Sequence, residues 1–248
     1  FRLAEHLTRL QATLDGIRLA NPLEASGWAT VVERLIAEAP WDDQSIYLQV
    51  TRGADNKRDH AFPPASVPPT AFAFSSPLVT TPTEIRAKGV AAITVADDRW
   101  AHCDLKVVSL LANILARQQA VDAGCAEALL IRDGQLKEGA ASNIFVVKDG
   151  VLLAPPKTSF MLPGITYDVV LELAACHGQP LEIREIQEDE LRTADEVWMT
   201  SSTKEVLAIT TLDGRPVGNG AIAGKPGPLG ERMWQWYQDF KQSVMRKG

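Results

Sequence analysis

A lysine in an apolar run is the first residue of this chain that could carry chemistry. Lys106 stands between Leu105 and Val107 in Cys-Asp-Leu-Lys-Val-Val-Ser-Leu-Leu (103–111). A charged ammonium is costly to bury, so we expect its neutral amine to be favoured there. A neutral amine can form a Schiff base with an aldehyde. The ordinary alternative is a lysine that snorkels from a helix end into water.

Two further stretches could bind the other parts of a small ligand. Glu138 opens Glu-Gly-Ala-Ala-Ser-Asn, and Gly139 allows the backbone to turn closely beside it. A carboxylate placed there can hold a proton on a ring nitrogen, whereas its ordinary alternative is a solvent-facing acid at a strand end. Ile165 and Thr166 follow Gly164 at the start of a predicted helix, where backbone N–H groups and the helix dipole favour an anion.

Polar residues elsewhere could complete such a site. Ser202 and Thr203 lie in a polar stretch that could close the other side of an anion site. The alternative interpretation is that this stretch is an ordinary loop. Arg58 and His60 lie in a basic loop. A guanidinium fork matches a carboxylate and an imidazole adds a donor, so this loop is a candidate carboxylate trap. A flexible basic loop is the alternative.

The elements that must position these residues follow from apolar spacing and turn signals. Helical spacing predicts helices at residues 2–17, 25–38, 105–123, 166–177 and 230–244. Strands are predicted at 45–51 and 89–96, and hairpins at the pairs Asp133-Gly134, Asp149-Gly150 and Asp213-Gly214. Residues 75–83, the end of a proline-rich stretch, are predicted to be an extended interdomain linker. This mixture predicts an α+β protein with a small domain at 1–80 and a large one at 81–248, with antiparallel-rich sheets and packed helices.

Composition excludes several classes of function. The 248 residues carry a net charge of −6 without a basic stripe, which argues against nucleic acid as a partner. The longest apolar run, 107–116, is about half of the roughly 20 residues that a membrane-spanning helix needs. Three cysteines without metal-ligand spacing favour reduced thiols in the cytoplasm and argue against a metal site.

Taken together, these motifs resemble the site of the fold-type IV pyridoxal-phosphate-dependent aminotransferases, also called class IV. The likeness rests on Lys106, Glu138, Pro-Gly-Ile-Thr (163–166) and Thr-Ser-Ser-Thr-Lys-Glu (200–205), and it extends from Phe1 to about Phe240. It is strongest for the D-amino acid transaminases. In that family the lysine holds pyridoxal 5'-phosphate and shuttles a proton, and the glutamate keeps the ring nitrogen protonated.

The resemblance implies roles for nine residues. The implied cofactor contacts are Lys106, Glu138, Arg9, Ile165, Thr166 and Ser202. The implied substrate contacts are Arg58, His60 and Thr203. Family members often carry serines where this chain has Ala140 and Ala141, so hydroxyl contacts from those two positions are absent here. They also carry a preceding strand-rich segment, so we expect the small domain to lack its first strands in this chain.

The implied function is transfer of the amino group of a D-amino acid to a 2-oxo acid, such as 2-oxoglutarate or pyruvate, by a ping-pong mechanism in a cytoplasmic homodimer. Branched-chain L-amino acid transaminases and 4-amino-4-deoxychorismate lyases share the lysine, the glutamate and the phosphate cradle. The Arg58-x-His60 pattern argues against both. An alternative outside catalysis is a descendant that keeps the fold or binds partners but is not an enzyme. The intact Lys106 and Glu138 argue against it.

Overall fold

The structure is a computed structural model that describes residues 1–245, and the chain divides into two compact units. One unit comprises Arg2–Val79, and the other comprises Thr80–Gly248 together with Phe1. The helices and strands are numbered in chain order. Among the described residues, no helix is both long and apolar enough to span a bilayer.

The Arg2–Val79 unit contains two helices and a two-stranded sheet. Its elements are α1 (Leu3–Gly16), α2 (Ala25–Glu38), β1 (Gln44–Thr51) and β2 (Thr70–Pro77). The strands pair antiparallel from Gln44↔Pro77 to Thr51↔Thr70. Trp28 is fully buried, and its indole N–H donates to Asn21 Oδ1 at 2.9 Å, so its one polar atom is satisfied.

The larger unit is built on one ten-stranded sheet. Its strands are β3 (Val90–Ala96), β4 (Glu127–Arg132), β5 (Gln135–Gly139), β6 (Asn143–Lys148), β7 (Val151–Ala154), β8 (Leu181–Ile183), β9 (Ile186–Gln187), β10 (Glu196–Ser201), β11 (Glu205–Leu212) and β12 (Arg215–Pro216). Nine follow the order β8-β7-β6-β10-β11-β3-β4-β5-β9, and β12 pairs with β11. Only the pairs β11–β3, β3–β4 and β7–β8 are parallel among those described. The predicted antiparallel-rich α+β fold is therefore confirmed.

Helices cover this sheet. They are α3 (Thr83–Lys88), α4 (Leu111–Asp122), α5 (Ile165–Cys176), α6 (Glu188–Arg192) and α7 (Pro228–Met245), with a 3-10 turn at Gly220–Ile222. Strand β6 shows why both faces of the sheet are buried: Ile144 and Val146 lie in one core cluster, whereas Phe145 and Val147 pack into the other with α5 and α7. The sequence of a strand that is buried on both faces is a continuous apolar run, whereas a strand with one exposed face alternates apolar and polar residues.

The three predicted Asp-Gly hairpins are confirmed. They join β4 to β5, β6 to β7 and β11 to β12, and both residues of each pair have a positive φ, such as 52° at Asp133 and 74° at Gly134. A type I′ turn requires that geometry, and Asp-Gly supplies it with little strain.

Two predicted elements need correction. The helix predicted at 105–123 begins only at Leu111, and residues 105–110 are irregular. Its apolar spacing suggested a buried face, but Val108 and Leu110 are exposed. The linker predicted at 75–83 is shorter, because its first three residues belong to β2 and Thr83 already begins α3.

Candidate active site

Glu138 lies at the end of β5 and is almost completely buried, with 5% of its surface exposed. One carboxylate oxygen, Oε1, accepts a hydrogen bond from Arg99 Nη1 at 2.5 Å. The other, Oε2, accepts one from the backbone N–H of Leu162 at 3.1 Å and a longer one from Asn143 Nδ2 at 3.4 Å. Three donors from three segments therefore fix the orientation of this carboxylate.

Arg99 connects Glu138 to a chain of buried charges. Its guanidinium holds both oxygens of Asp97, with Nε–Oδ1 at 2.9 Å and Nη2–Oδ2 at 3.1 Å. Arg132 donates to the same Asp97 carboxylate at 3.2 Å and to the Arg99 carbonyl at 2.6 Å. Two cations and two anions alternate along this series of side chains. The free-energy cost of burying each charge is therefore offset by the opposite charge beside it.

Burial dominates the acidity of Glu138. Loss of solvent disfavours the carboxylate and raises the pKa of Glu138 to about 7, although Arg99 favours the charged form. At Asp97 burial also works against the charge, but hydrogen bonds from Arg99 and Arg132 outweigh it and hold the pKa below its ordinary value. The same charge chain thus contains one firmly ionised acid and one acid that can change its protonation near neutral pH.

Asn143 joins Glu138 to the start of helix α5. Its amide donates to the Leu162 carbonyl at 2.9 Å, next to the bond between Leu162 N–H and Glu138. Its Oδ1 lies so close to Gly164 that a Cβ added there would overlap with it. Any residue other than glycine would therefore displace the loop that leads into α5.

The start of α5 is suited to an anion. Gly164 is the N-cap residue, and no side chain caps the helix by a hydrogen bond. The first N–H groups of an α-helix have no partner within the helix and carry the positive end of its dipole. Ile165 and Thr166, the predicted phosphate contacts, begin this helix and are both buried.

Lys106 lies in the irregular segment between β3 and α4, and its side chain is exposed. The expectation that its apolar neighbours bury it is therefore wrong, because the irregular backbone of this segment turns several of them to the surface. The segment itself is anchored: Cys103 N–H donates to the Ser159 carbonyl at 2.7 Å. Asp104 Oδ1 is buried without a hydrogen-bond partner among the described residues.

The stretch after Glu138 forms a tight turn. Gly139 N–H donates to the Ser142 carbonyl at 2.7 Å, and Asn113 Nδ2 from α4 donates to the Ala140 carbonyl at 2.9 Å. A Cβ on Gly139 would overlap with Ser142 Oγ and lie 3.1 Å from the Glu127 carboxyl carbon. Gly139 is thus required by packing inside the protein as well as by the close backbone turn that the sequence suggested.

Ser202 and Thr203 lie in the turn between β10 and β11, and both are exposed. We refer to residues 201–205 as the Ser202 turn. Strand pairing connects it to Asn143, because Thr200, the residue before it, is paired with Asn143 and its hydroxyl donates to the Asn143 carbonyl at 3.4 Å. Glu138, the start of α5 and the strand that ends in the Ser202 turn therefore all contact one residue, Asn143: the first two contact its side chain and the strand contacts its backbone.

Three predicted site residues belong to the Arg2–Val79 unit. Arg9 lies half-buried in α1, with Nη2 at 3.4 Å from His6 Nδ1. Arg58 and His60 lie exposed in the 52–69 loop between β1 and β2. Asp59 Oδ1 accepts hydrogen bonds from the N–H groups of His60 and Ala61, at 2.6 Å and 3.2 Å, which makes a local turn at this point of the loop.

The residues that hold Glu138 were missed by reasoning from the sequence. Arg99 follows β3 in Asp97-Asp98-Arg99, an ordinary charged run that is typical of a solvated loop. Asn143 stands in the sequence only as the end of a turn. Nothing in their spacing distinguishes them, because the contact between Arg99 and Glu138 spans 39 residues of sequence. Among residues 1–245, no group of three or more His, Cys, Asp and Glu side chains could hold a metal ion.

Comparison with known proteins fits this geometry. The family described as amino-transferase class IV matches residues 1–212. The chain belongs to the class IV aminotransferases. The predicted family is therefore confirmed, and with it the assignment of the protein as an enzyme.

Curated relatives are similar over most of their length. A D-alanine aminotransferase from Bacillus licheniformis is 38% identical over 230 residues, which is 92% of this chain and 78% of the relative. One from Listeria monocytogenes is 36% identical over 243 residues, covering 96% of this chain and 81% of the relative.

Solved structures of class IV enzymes share the fold. The branched-chain amino acid aminotransferase of Escherichia coli matches with a TM-score of 0.87 at 26% identity, covering 96% of this chain and 79% of that protein. A T.th. branched-chain amino acid aminotransferase with pyridoxamine 5'-phosphate also matches with a TM-score of 0.87, at 28% identity, covering 96% of this chain and 78% of that protein.

Proposed function

We propose that this aminotransferase moves the amino group of a D-amino acid to a 2-oxo acid, with pyridoxal 5'-phosphate as its cofactor. The observation that carries the cofactor assignment is the buried Glu138 carboxylate, which Arg99, Leu162 and Asn143 orient. The D-amino acid assignment is supported by the relatives, which are D-alanine aminotransferases at 32–38% identity. Pyruvate and 2-oxoglutarate are the proposed amino acceptors.

The residues fit the chemistry of pyridoxal 5'-phosphate. When bound, the cofactor withdraws the electrons that are left on the substrate Cα after deprotonation, provided that its ring nitrogen stays protonated. Glu138 would hold that proton, because a carboxylate opposite a ring nitrogen favours the protonated ring. The N–H groups of Ile165 and Thr166, at a helix start without a side-chain cap, would hold the phosphate, together with Ser202 and Arg9.

Lys106 would act as nucleophile and as base. Its Nζ would bind the cofactor aldehyde covalently and, after exchange with the substrate amine, would take the proton from the substrate Cα. An exposed lysine on an anchored segment suits both tasks, since a substrate can reach it from solvent while the backbone stays fixed at Cys103. Because a single site handles both the donor and the acceptor, ping-pong kinetics follow.

The substrate carboxylate would be bound by Arg58 and His60, with a further contact from Thr203. A guanidinium offers two parallel donors that match the two carboxylate oxygens. The Asp59 turn beside these residues keeps Arg58 and His60 on one short stretch of chain. This part of the proposal rests on residue chemistry and on the class resemblance.

A second candidate function is amino transfer from branched-chain L-amino acids. The structural neighbours favour it, because the E. coli and T.th. enzymes that share the fold are branched-chain amino acid aminotransferases. Their identity to this chain is 26% and 28%, below the 38% and 36% of the D-alanine aminotransferases. We therefore rank the D-amino acid function first.

The stereochemistry of the donor decides between the two functions. We would incubate the purified protein and pyridoxal 5'-phosphate with 2-oxoglutarate and one donor at a time: D-alanine, L-alanine or L-leucine. The glutamate formed would then be resolved by chiral chromatography. We expect D-glutamate from D-alanine and little product from the L-donors. L-Glutamate from L-leucine, with no turnover of D-alanine, would establish the second function instead.

We also propose that the enzyme is a homodimer whose interface includes α4. Leu111, Ile114 and Leu115 form an exposed apolar stripe at helical spacing, and Leu111 is 69% exposed. Contiguous exposed apolar surface of this kind is typical of a protein–protein interface. Light scattering on the active enzyme should give twice the 27.0 kDa chain mass, and Ile114→Glu should shift it toward the monomer. A wild-type particle of 27.0 kDa would contradict the dimer.

A cytoplasmic location is proposed as well. Cys103, Cys125 and Cys176 are all free thiols, which suits a reducing compartment.

A further inference from the structure

We propose that Glu205 and Arg86 are positioning residues that hold the Ser202 turn in the shape needed to bind the cofactor phosphate. Neither residue carries a role in the function proposed above, on which this inference rests. Glu205 is the last residue of the turn, and Arg86 lies in α3, about 120 residues earlier in the chain.

The backbone of Glu205 is the first observation. Its φ is 60°, in the left-handed region that glycine and asparagine occupy most readily. A glutamate there is strained, and such strain persists only where the surroundings fix the residue. The side chain must therefore make contacts that a glycine could not.

The side chain of Glu205 makes those contacts with helix α7. Its Oε2 accepts hydrogen bonds from Gln238 Nε2 at 2.7 Å and from Trp234 Nε1 at 3.3 Å. Its Oε1 accepts a charged hydrogen bond from Lys241 Nζ. Three residues on successive turns of one helix thus hold a single carboxylate at the end of the turn.

Arg86 holds the same turn from the side of α3. Its guanidinium donates to the Val206 carbonyl at 2.6 Å and to the Lys204 carbonyl at 3.4 Å, and it lies 3.8 Å from Glu205 Oε2. Its plane also covers the Trp234 ring, 4.8 Å from the centroid. The backbone on both sides of Glu205 is therefore fixed, which leaves Ser202 and Thr203 as the exposed tip of an immobilised turn.

A second buried carboxylate provides a matched control. Glu196 also anchors α7, but at the start of the helix: it accepts from Leu229 N–H at 2.9 Å, Gly230 N–H at 2.7 Å and Trp198 Nε1 at 2.9 Å. It is the first residue of β10, at the opposite end of that strand from the Ser202 turn. Loss of its charge should weaken the attachment of α7 without disturbing the turn.

The test compares two ligands that differ only in the phosphate. Dissociation constants for pyridoxal 5'-phosphate and for pyridoxal are measured by fluorescence for wild type, Glu205→Gln and Glu196→Gln. For Glu205→Gln we expect about tenfold weaker binding of pyridoxal 5'-phosphate and unchanged binding of pyridoxal, since a lost charged contact has an effect of about that size. Glu196→Gln should lower the melting temperature without changing the ratio of the two constants. A Glu205→Gln protein whose ratio equals that of wild type would overturn the proposal.

Hydrogen exchange gives a readout that does not depend on the cofactor. In the cofactor-free protein, amide exchange at residues 202–204 should accelerate in Glu205→Gln and in Arg86→Lys, which keeps the charge but loses the fork to the two carbonyls. Glu196→Gln should leave these amides unchanged. Unaltered exchange in both turn variants would refute the clamp even if one of them bound the cofactor poorly. A wild type that binds no pyridoxal 5'-phosphate would instead refute the proposed function and the phosphate role together.

Discussion

The surroundings of Glu138 and the 52–69 loop represent two opposite ways to place a charged group. Glu138 is buried and is held by three donors, and the charge chain through Arg99 continues to Asp97, whose side chain is fully buried. Arg58 and His60 lie exposed on a loop. Each region lies in its own compact unit.

The difference follows from what each region is proposed to bind. A cofactor stays in place through many turnovers, so a carboxylate that holds it need not move when substrates exchange. Its position can therefore be fixed by packing. A substrate must enter and leave in every half-reaction, and an exposed loop can admit it. The proposed roles in a ping-pong reaction would thus account both for the order around Glu138 and for the exposure of the 52–69 loop.

The largest expected effect is at Lys106. Lys106→Ala should lower the amino-transfer rate on the order of 10⁴-fold, because it removes the nucleophile and the proton carrier together. Lys137→Met is the matched control. Lys137 directly precedes Glu138 in the sequence and is buried, but its Nζ pairs with Glu185 Oε2 at 2.8 Å. Steady-state rates should separate the two variants, and turnover of Lys106→Ala within about tenfold of wild type would show that this lysine is not the nucleophile.

Glu138→Gln should have the next largest effect. An amide cannot keep a ring nitrogen protonated, so the rate should fall roughly 10²–10⁴-fold while the cofactor still binds. Glu127→Gln changes another buried carboxylate, which accepts from Ser142 Oγ at 2.8 Å, and it should leave the rate within a few-fold of wild type. Equal rates for wild type and Glu138→Gln would remove the electron-withdrawal argument at this residue.

Arg58→Ala examines the exposed region. With the bound substrate carboxylate, Arg58 would form a buried charge pair, and removal of one partner of such a pair should cost about 2–4 kcal/mol of transition-state binding, or about 30- to 1000-fold in kcat/KM. The loss should be similar for D-alanine and D-glutamate, the D-over-L preference should shrink, and the visible spectrum of the bound cofactor should stay unchanged. Lys57→Ala, on the same exposed loop, is the control. If Arg58→Ala matches wild type on both D-substrates, the carboxylate trap lies elsewhere.

The smallest expected effect concerns pH. The pKa of Glu138 is raised from 4.5 to about 7, so between these values the folded cofactor-free protein holds a proton that the unfolded chain has released. The stabilisation that comes from holding this proton is complete below pH 4.5 and is lost as the pH rises to about 7. Relative to Glu138→Gln, the melting temperature of wild type should therefore fall across this window and then level off. A wild type whose stability relative to Glu138→Gln stays level between pH 4.5 and about 7 would show that Arg99, rather than burial, controls this acid.

Local signals explain what could be predicted from the sequence. The Asp-Gly pairs determine their hairpins through the φ angles of two adjacent residues. Gly178, with a φ of 66°, follows the C-cap residue of α5, near the predicted end of that helix at residue 177. The helix predicted from residue 105 failed because apolar spacing shows only where a helix could bury a face. The exposed Val108 and Leu110 are apolar without being part of the core.

Only part of the candidate site could be predicted from the sequence, because local motifs reveal some of its residues and not others. Lys106 and Glu138 stand out through motifs that resemble a known family. Arg99 and Asn143 do not, because their importance lies in contacts with residues that are distant in the chain or on another segment. A charged residue in an acidic run is expected to be solvated until the fold shows that its partners are buried.

The identity of the lysine that binds the cofactor is the most decisive measurement for the proposed chemistry. We would load the protein with pyridoxal 5'-phosphate, reduce it with borohydride to fix the cofactor–lysine bond, and locate the pyridoxyl group by peptide mass spectrometry. We expect one modified lysine, Lys106, and no modification in the Lys106→Ala variant. A pyridoxyl group on Lys204 of the Ser202 turn, on Lys137, or on no lysine would contradict the proposed site.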